Sequence, residues 1–261
     1  MRSVATFITD LAARGRYSFS TVEAQGTLGV SLPAVRAALR RLKRRSEIAD
    51  PHRGFHVILP PEYRRIGCLP AEQFVPDLMA YLGEPYYVAL LSAAELHGAA
   101  HHRPQTFQVM APKNRRPIEC GAVRVQFVAR RDLAIVPTVA MNTPRGQMRV
   151  SSPEATALDL VGYADQAGGL DNVASVLAEL AERIDAAKLA EVARSCPAAW
   201  AQRLGFLLDQ VERSDLADPL AAVVEDRASV VAPLVRKKAI TGAPRIERWR
   251  IAANTTVEPD V

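Results

Sequence analysis

His97 and His101, in "ELHGAAHH", stand four residues apart and would share one face of a helix, the spacing at which two imidazoles can hold a metal. A zinc protease of this kind has Glu directly after the first His as its general base. Here Gly98 takes that position, and no motif places an acidic third ligand. Both histidines therefore read as helix-terminal or packed residues. A Ser/His/Asp triad has no G-x-S-x-G elbow to support it. Neither a phosphate-cradling G-x-x-x-x-G-K-[ST] loop nor a G-x-G-x-x-G after a strand occurs. The Gly-Ser with paired aspartates of a nucleotidyltransferase and the Asp…Glu-x-Lys of a nuclease are also missing in convincing form. Cys68, Cys120 and Cys196 are more than fifty residues apart without a C-x-x-C, which implies neither zinc nor a disulfide framework. The sequence predicts a protein that is not an enzyme and needs no cofactor or metal.

What remains is positive charge, unevenly spread. The chain carries a net +5, yet residues 1–65 hold twelve Lys/Arg against five Asp/Glu. Such asymmetry points to a module that faces nucleic acid, attached to a differently employed body. The densest part is "SLPAVRAALRRLKRRSEI", where six of the ten residues from Arg36 to Arg45 are basic. A second excess covers Arg103–Arg149, with nine basic residues against Glu119 and Asp132, and a third lies near the end.

Ser3 is placed to cap a helix with Val4, Phe7, Ile8 and Leu11 on one face, ended by Gly15. Ser20 or Thr21 opens a short second helix closing near Gly26, and "TLGV" turns into Ser31. Pro33 sits in the first turn of a third helix, where its missing N–H costs nothing. Extended pieces around Ile48–Asp50 and Phe55–Leu59 flank "PHRG". At about 100° per residue, Leu32, Val35, Leu39 and Leu42 fall in one arc with Ala38 at its edge. The cations spread over the other side.

Two helices followed by a hairpin are the winged-helix arrangement, which enters the DNA major groove with the start of the second helix. The small turn Ser31, Pro33, Ala34 allows close approach, and Arg36 and Arg40 are the expected base readers. Arg41, Lys43, Arg44 and Arg45 are expected on phosphates, and the wing would bring Arg53 with His52 or His56. A membrane-surface helix would want Trp or Phe on its apolar face, and this one has neither.

The rest reads as a larger mixed α/β domain, giving an α+β chain with an expected boundary between residues 1–61 and 62–261. Helical periodicity covers Glu72–Leu82 and Val88–Ala100. The strand-like runs "TFQVM", "VRVQFVA", "TVAMN" and "QMRV" predict a mainly antiparallel sheet. Ser151 or Ser152 starts the helix "SPEATALDLVGYA", Ala/Leu-rich helices continue to about Arg227, and "RIERWRIAAN" is expected to return to the sheet. Lys113, Arg115, Arg116, Arg124, Arg130 and Arg131, on or between strands, form either ordinary outward charges or a second phosphate-tracking surface. Apolar runs such as Val88–Leu91 are too short to span a bilayer, and Asp10 and Arg14 interrupt the first amphipathic stretch; a cytoplasmic protein is expected.

Tyr86-Tyr87 before a helix with Ser92, Ala93, Leu96, His97 and Gly98 begins an ordered series of motifs. Phe107–Met110, Val123–Phe127, Ser152, Glu154, Thr156, Leu158 and Asp159, and late "RWRIAAN" continue it. In order and spacing this resembles the AbiEi family, antitoxins of type IV toxin–antitoxin systems, and with the N-terminal module the resemblance spans nearly the whole chain. It implies a winged helix that binds inverted repeats in its own operon's promoter and represses it. It further implies a C-terminal domain that counters a nucleotidyltransferase-like toxin encoded beside it, with no stable antitoxin–toxin complex. Two other readings stand beside it: an enzyme acting on nucleic acid with the winged helix as targeting module, and a plain repressor with an unknown ligand domain.

Overall fold

The computed structural model describes residues 3–99 and 104–259. It begins with α1 (Val4–Ala13), β1 (Ser18–Ser20), α2 (Thr21–Leu28), α3 (Leu32–Arg44), β2 (Ile48–His52) and β3 (Phe55–Ile58). The caps follow from the sequence. Ser3 Oγ accepts from Thr6 N–H, and Ser20 Oγ accepts from Glu23 N–H. Helix α2 runs past Gly26 to Leu28, because Gly29 adopts the left-handed conformation (φ 63°) that closes it. Strands β1, β3 and β2 form an antiparallel sheet in that order.

Next come α4 (Ala71–Leu82), β4 (Tyr87–Val88), α5 (Leu90–Leu96), β5 (Phe107–Ala111), β6 (Ile118–Cys120), β7 (Val123–Ala129), β8 (Thr138–Thr143) and β9 (Gly146–Ser151). The helical pattern over Val88–Ala100 yields only the two turns of α5, since Tyr87–Val88 is spent on a strand. The sheet is mixed: β6 pairs antiparallel with β7, but β5 and β7 are parallel over five residue pairs, and Val88 meets Val150 in a parallel bridge.

The chain ends with α6 (Pro153–Gly162), α7 (Leu170–Leu180), α8 (Ala186–Ser195), α9 (Ala198–Gln210), α10 (Ser214–Arg227), β10 (Ala232–Pro233), β11 (Arg245–Ile246) and β12 (Ile251–Ala252). "RIERWRIAAN" does not extend the larger sheet. A short 3-10 turn at Glu247–Trp249 splits it into β11 and β12, which build a separate small sheet with β10. Trp249 causes the break: fully buried, it donates from Nε1 to Asp209 at 2.5 Å and lies over Gly205 of α9.

The elements gather into two compact units, one of Met1–Tyr87, Gln105–Leu133 and Ala140–Arg149, the other of Val88–Pro104, Ala134–Val139 and Val150–Val261. In the first unit, β3 is buried on both faces. Ile58 joins Phe7, Leu11, Val35, Leu39 and Leu42 in one core. Phe55 and Val57 join Phe74, Leu78, Val125 and Phe127 in another. Burial on both faces explains why "FHVI" lacks the polar–apolar alternation of a half-exposed strand.

Candidate nucleic-acid interface

Helix α3 is fastened by one stripe. Val35, Leu39 and Leu42 are buried, Leu32 and Ala38 half-buried. Ser31, Pro33 and Ala34 are exposed at its start, and the Ser31 hydroxyl is not used as a cap. Arg36, Arg40, Arg41, Arg44 and Arg45 are exposed, and none has an acceptor among the described residues. At about 1.5 Å per residue, thirteen residues give a rod about 20 Å long. Arg41, Lys43 and Arg44 occupy its last turn, where cations complement the helix dipole.

Lys43 is used differently. Its Nζ lies 2.8 Å from Asp50 Oδ2 on β2. Asp50 Oδ1 is 2.7 Å from Nδ1 of buried His56 on β3, whose Nε2 is 2.8 Å from Thr21 Oγ1 at the start of α2. Burial pushes the Asp50 carboxyl up, but the hydrogen bonds from His56 and Lys43 outweigh it and hold the group below the ordinary carboxylate range. An ionised carboxylate only accepts, so Nδ1–H of His56 donates to it, and the Thr21 hydroxyl serves Nε2 in either protonation state. Four side chains thus tie α3, both wing strands and α2 together.

The wing tip is supported from behind. Gly54 turns the hairpin at φ 78°, and its carbonyl accepts from Thr21 N–H at 2.9 Å. Tyr81 of α4 lies edge-on to His52 with centroids 6.3 Å apart, and 5.5 Å from the Phe55 ring. A Cβ at Gly54 would come within 2.9 Å of the Tyr81 hydroxyl. His52 Nδ1 is 3.1 Å from the Arg53 carbonyl, which leaves the exposed Arg53 side chain as the cation at the tip.

The six basic residues of the middle segment do not form one free surface. Lys113 and Arg115 both reach Glu84, at 2.7 and 2.6 Å. Burial raises the Glu84 carboxyl, and the two cations more than reverse this. Arg124 sits opposite Glu119 across the β6–β7 ladder at 3.6 Å, and Arg130 donates to the Tyr87 hydroxyl at 3.1 Å. Only Arg116 and Arg131 are exposed without an acceptor among the described residues.

In the second unit, the polar residues around α6 hold structure together. The His97 Nε2–H donates to the Ser151 carbonyl at 2.7 Å, so this imidazole is a tie between α5 and β9. His101 lies outside the described residues. Ser152 Oγ caps α6 at Ala155 N–H and donates to Glu154 at 2.7 Å, and Glu154 in turn accepts from Asp185 N–H. Thr156 bonds the Ser151 hydroxyl at 2.6 Å. No group of three His, Cys, Asp or Glu side chains suited to a metal occurs among the described residues. Nor is any described helix long and apolar enough to cross a membrane.

These features define an α+β protein whose N-terminal segment is three helices with a three-stranded antiparallel sheet, followed by mixed sheet and helices. Residues 87–210, just under half of the chain, match the family of the AbiEi antitoxin C-terminal domain. The chain is also similar to the crystal structure of the RV2827C protein from Mycobacterium tuberculosis, with a TM-score of 0.66 at 15% identity over 95% of this chain and 90% of that one. At that identity the likeness is one of fold. A solution structure of the antibiotic-resistance factor ANT(2'')-Ia aligns with 58% of this chain and 92% of its own at 14% identity, but a TM-score of 0.27 establishes no common fold. No curated protein matches the chain.

Sequence reading missed three features: the Lys43–Asp50–His56–Thr21 chain, the support of the wing by Tyr81, and the pairing of Lys113 and Arg115 with Glu84. The spacing of hydrophobic residues carries no trace of them, because each joins side chains from different elements.

Proposed function

We propose that this antitoxin-domain protein binds double-stranded DNA through its N-terminal residues 1–61 and represses its own operon. Residues 62–261 then counter a nucleotidyltransferase-like toxin encoded beside it, without catalysis and without a stable complex. One observation carries the DNA reading: four guanidinium groups on α3 and that of Arg45 at its C-cap have no acceptor among the described residues, over an apolar stripe that fixes the helix against the wing. Unpaired Arg on an ordered helix is suited to bidentate contact with guanine and with phosphates. Arg36 and Arg40, nearer the small N-terminal turn, read base edges; Arg41, Arg44 and Arg45 grip the backbone. Lys43 keeps α3 in register with the wing through Asp50, and Arg53 reaches the neighbouring groove or backbone. In the middle segment, Arg116 and Arg131 are the cations available for further phosphate contact.

The experiment has two arms. A reporter driven by the DNA upstream of the gene should be repressed by the chain and derepressed by Arg36→Ala with Arg40→Ala. Co-expression with the neighbouring gene product, a nucleotidyltransferase on this reading, should restore growth. Repression without growth rescue would leave a plain repressor. Metal-dependent cleavage or nucleotide transfer by the purified chain would favour an enzyme.

A further inference from the structure

A cavity of about 550 Å³ in the second unit has an unusual charge on its wall. Its lining comes from the end of α6, the start of α7, Arg203 of α9, the segment Leu234–Lys238, and Thr255 with Thr256. Arg203 is 4% exposed, yet no carboxylate pairs with it among the described residues. Its Nε and Nη2 donate to the carbonyls of Pro233 and Leu234 at 3.0–3.1 Å; its Nη1 has no acceptor among the described residues, and since no buried polar side-chain atom there lacks a partner, this nitrogen is open to solvent in the cavity. The charge that acts on it is another cation, Arg236. Burial first, and Arg236 second, push the Arg203 guanidinium down to about 10. A buried charge normally has a counter-ion, because leaving water without one is costly.

The surroundings are held in place for a ligand. Asn254 Oδ1 accepts from Val235 N–H, and its Nδ2 donates to the carbonyls of Val235 and Lys238, all at 2.9 Å, which fixes the segment that carries Arg236. Helix α7, eleven residues long, has Gly169 as its N-cap and no side-chain cap, and Gly169, Leu170 and Asp171 at its start line the cavity. Two carboxylates also line the cavity, and both are engaged. Asp165 pairs with Lys237 at 2.7 Å, and Asp171 accepts from Glu258 N–H at 3.0 Å. Lys238 is held by Thr255 at 2.8 Å.

We propose that this cavity binds an anion of the phosphate class, recognised by the Nη1 of Arg203, the side chain of Arg236 and the uncapped start of α7. Its size is that of a small-molecule site, so the phosphate is either free or carried by a nucleotide. The cavity lies in the second unit and α3 in the first.

The test is titration of the full chain with inorganic phosphate, followed by calorimetry and by melting temperature, against sodium chloride at matched ionic strength. Saturable binding and a phosphate-specific rise in melting temperature are expected. Arg236→Ala, at an exposed residue, should weaken binding about tenfold without lowering the unliganded melting temperature. Arg203→Lys, which keeps the charge and loses the fork, should weaken it as well, whereas Arg36→Ala with Arg40→Ala should not change it. A parallel titration with adenosine monophosphate separates the sources: tighter binding than phosphate assigns the site to a nucleotide, equal or weaker binding to free phosphate. An equal response to chloride, or unchanged phosphate binding in Arg236→Ala and Arg203→Lys, would overturn the proposal.

Discussion

Asp50 and His56 face each other across the wing, Oδ1 to Nδ1 at 2.7 Å, and this contact connects α3 to α2 through Lys43 on one side and Thr21 on the other. The wing is thereby locked to both helices by polar contacts as well as by the apolar core.

Asp50→Asn should lower the melting temperature at neutral pH, with little loss of secondary structure. The sign of the pH effect follows from the depressed carboxyl. A lowered folded value contributes stability that is present above the unfolded value, about 4, and lost as pH falls through the folded one. The gap between wild type and Asp50→Asn should therefore narrow on acidification and close near the bottom of the carboxylate range. Thermal melts over pH 3–8 measure it, and a gap that widens toward acid would contradict the assignment.

Gly54→Ala should destabilise the first unit by about 1–2 kcal/mol, because φ 78° strains any L side chain and the new Cβ would press on the Tyr81 hydroxyl. Since the wing tip carries Arg53, DNA affinity should fall with stability. Paired melts and fluorescence-anisotropy titrations check both.

Gly205→Ala provides a test in the second unit where helix propensity and packing oppose each other. Alanine gains roughly 1 kcal/mol over glycine inside a helix. Here its Cβ would lie 2.1 Å from the buried Trp249 ring, and overpacking costs about 1–3 kcal/mol, occasionally more. A net loss of stability with a change in tryptophan fluorescence is expected.

Arg44→Ala and Arg45→Ala should weaken binding almost equally on all DNA sequences. Each should reduce the slope of log affinity against log salt by about 1, as expected for a lost phosphate contact. A series of anisotropy titrations from low to high salt reads this directly.

Helix α3 was legible because two signals coincide in it. Val35, Leu39 and Leu42 recur at helical spacing, and Pro33 sits where a helix tolerates it. The wing was legible from "PHRG" between two apolar runs. Strand β1 was not: three residues are too few for a period, and Ser18–Ser20 is a strand only because β3 pairs with it. The parallel pairing of β5 with β7 was equally hidden, since β6 lies between them in sequence and alternation does not encode direction. In the candidate site, exposure of the α3 arginines followed from the wheel. Engagement of Lys113 and Arg115 did not, because Glu84 comes from the end of α4, some thirty residues earlier.

The central claim is that α3 reads a DNA sequence. Its most direct test is the affinity of the full chain for the DNA upstream of its own gene against a scrambled duplex, at physiological salt. Discrimination of about a thousandfold or more is expected, lost in Arg36→Ala with Arg40→Ala while the melting temperature stays unchanged. Equal affinity for both duplexes, or full discrimination in the double variant, would contradict it.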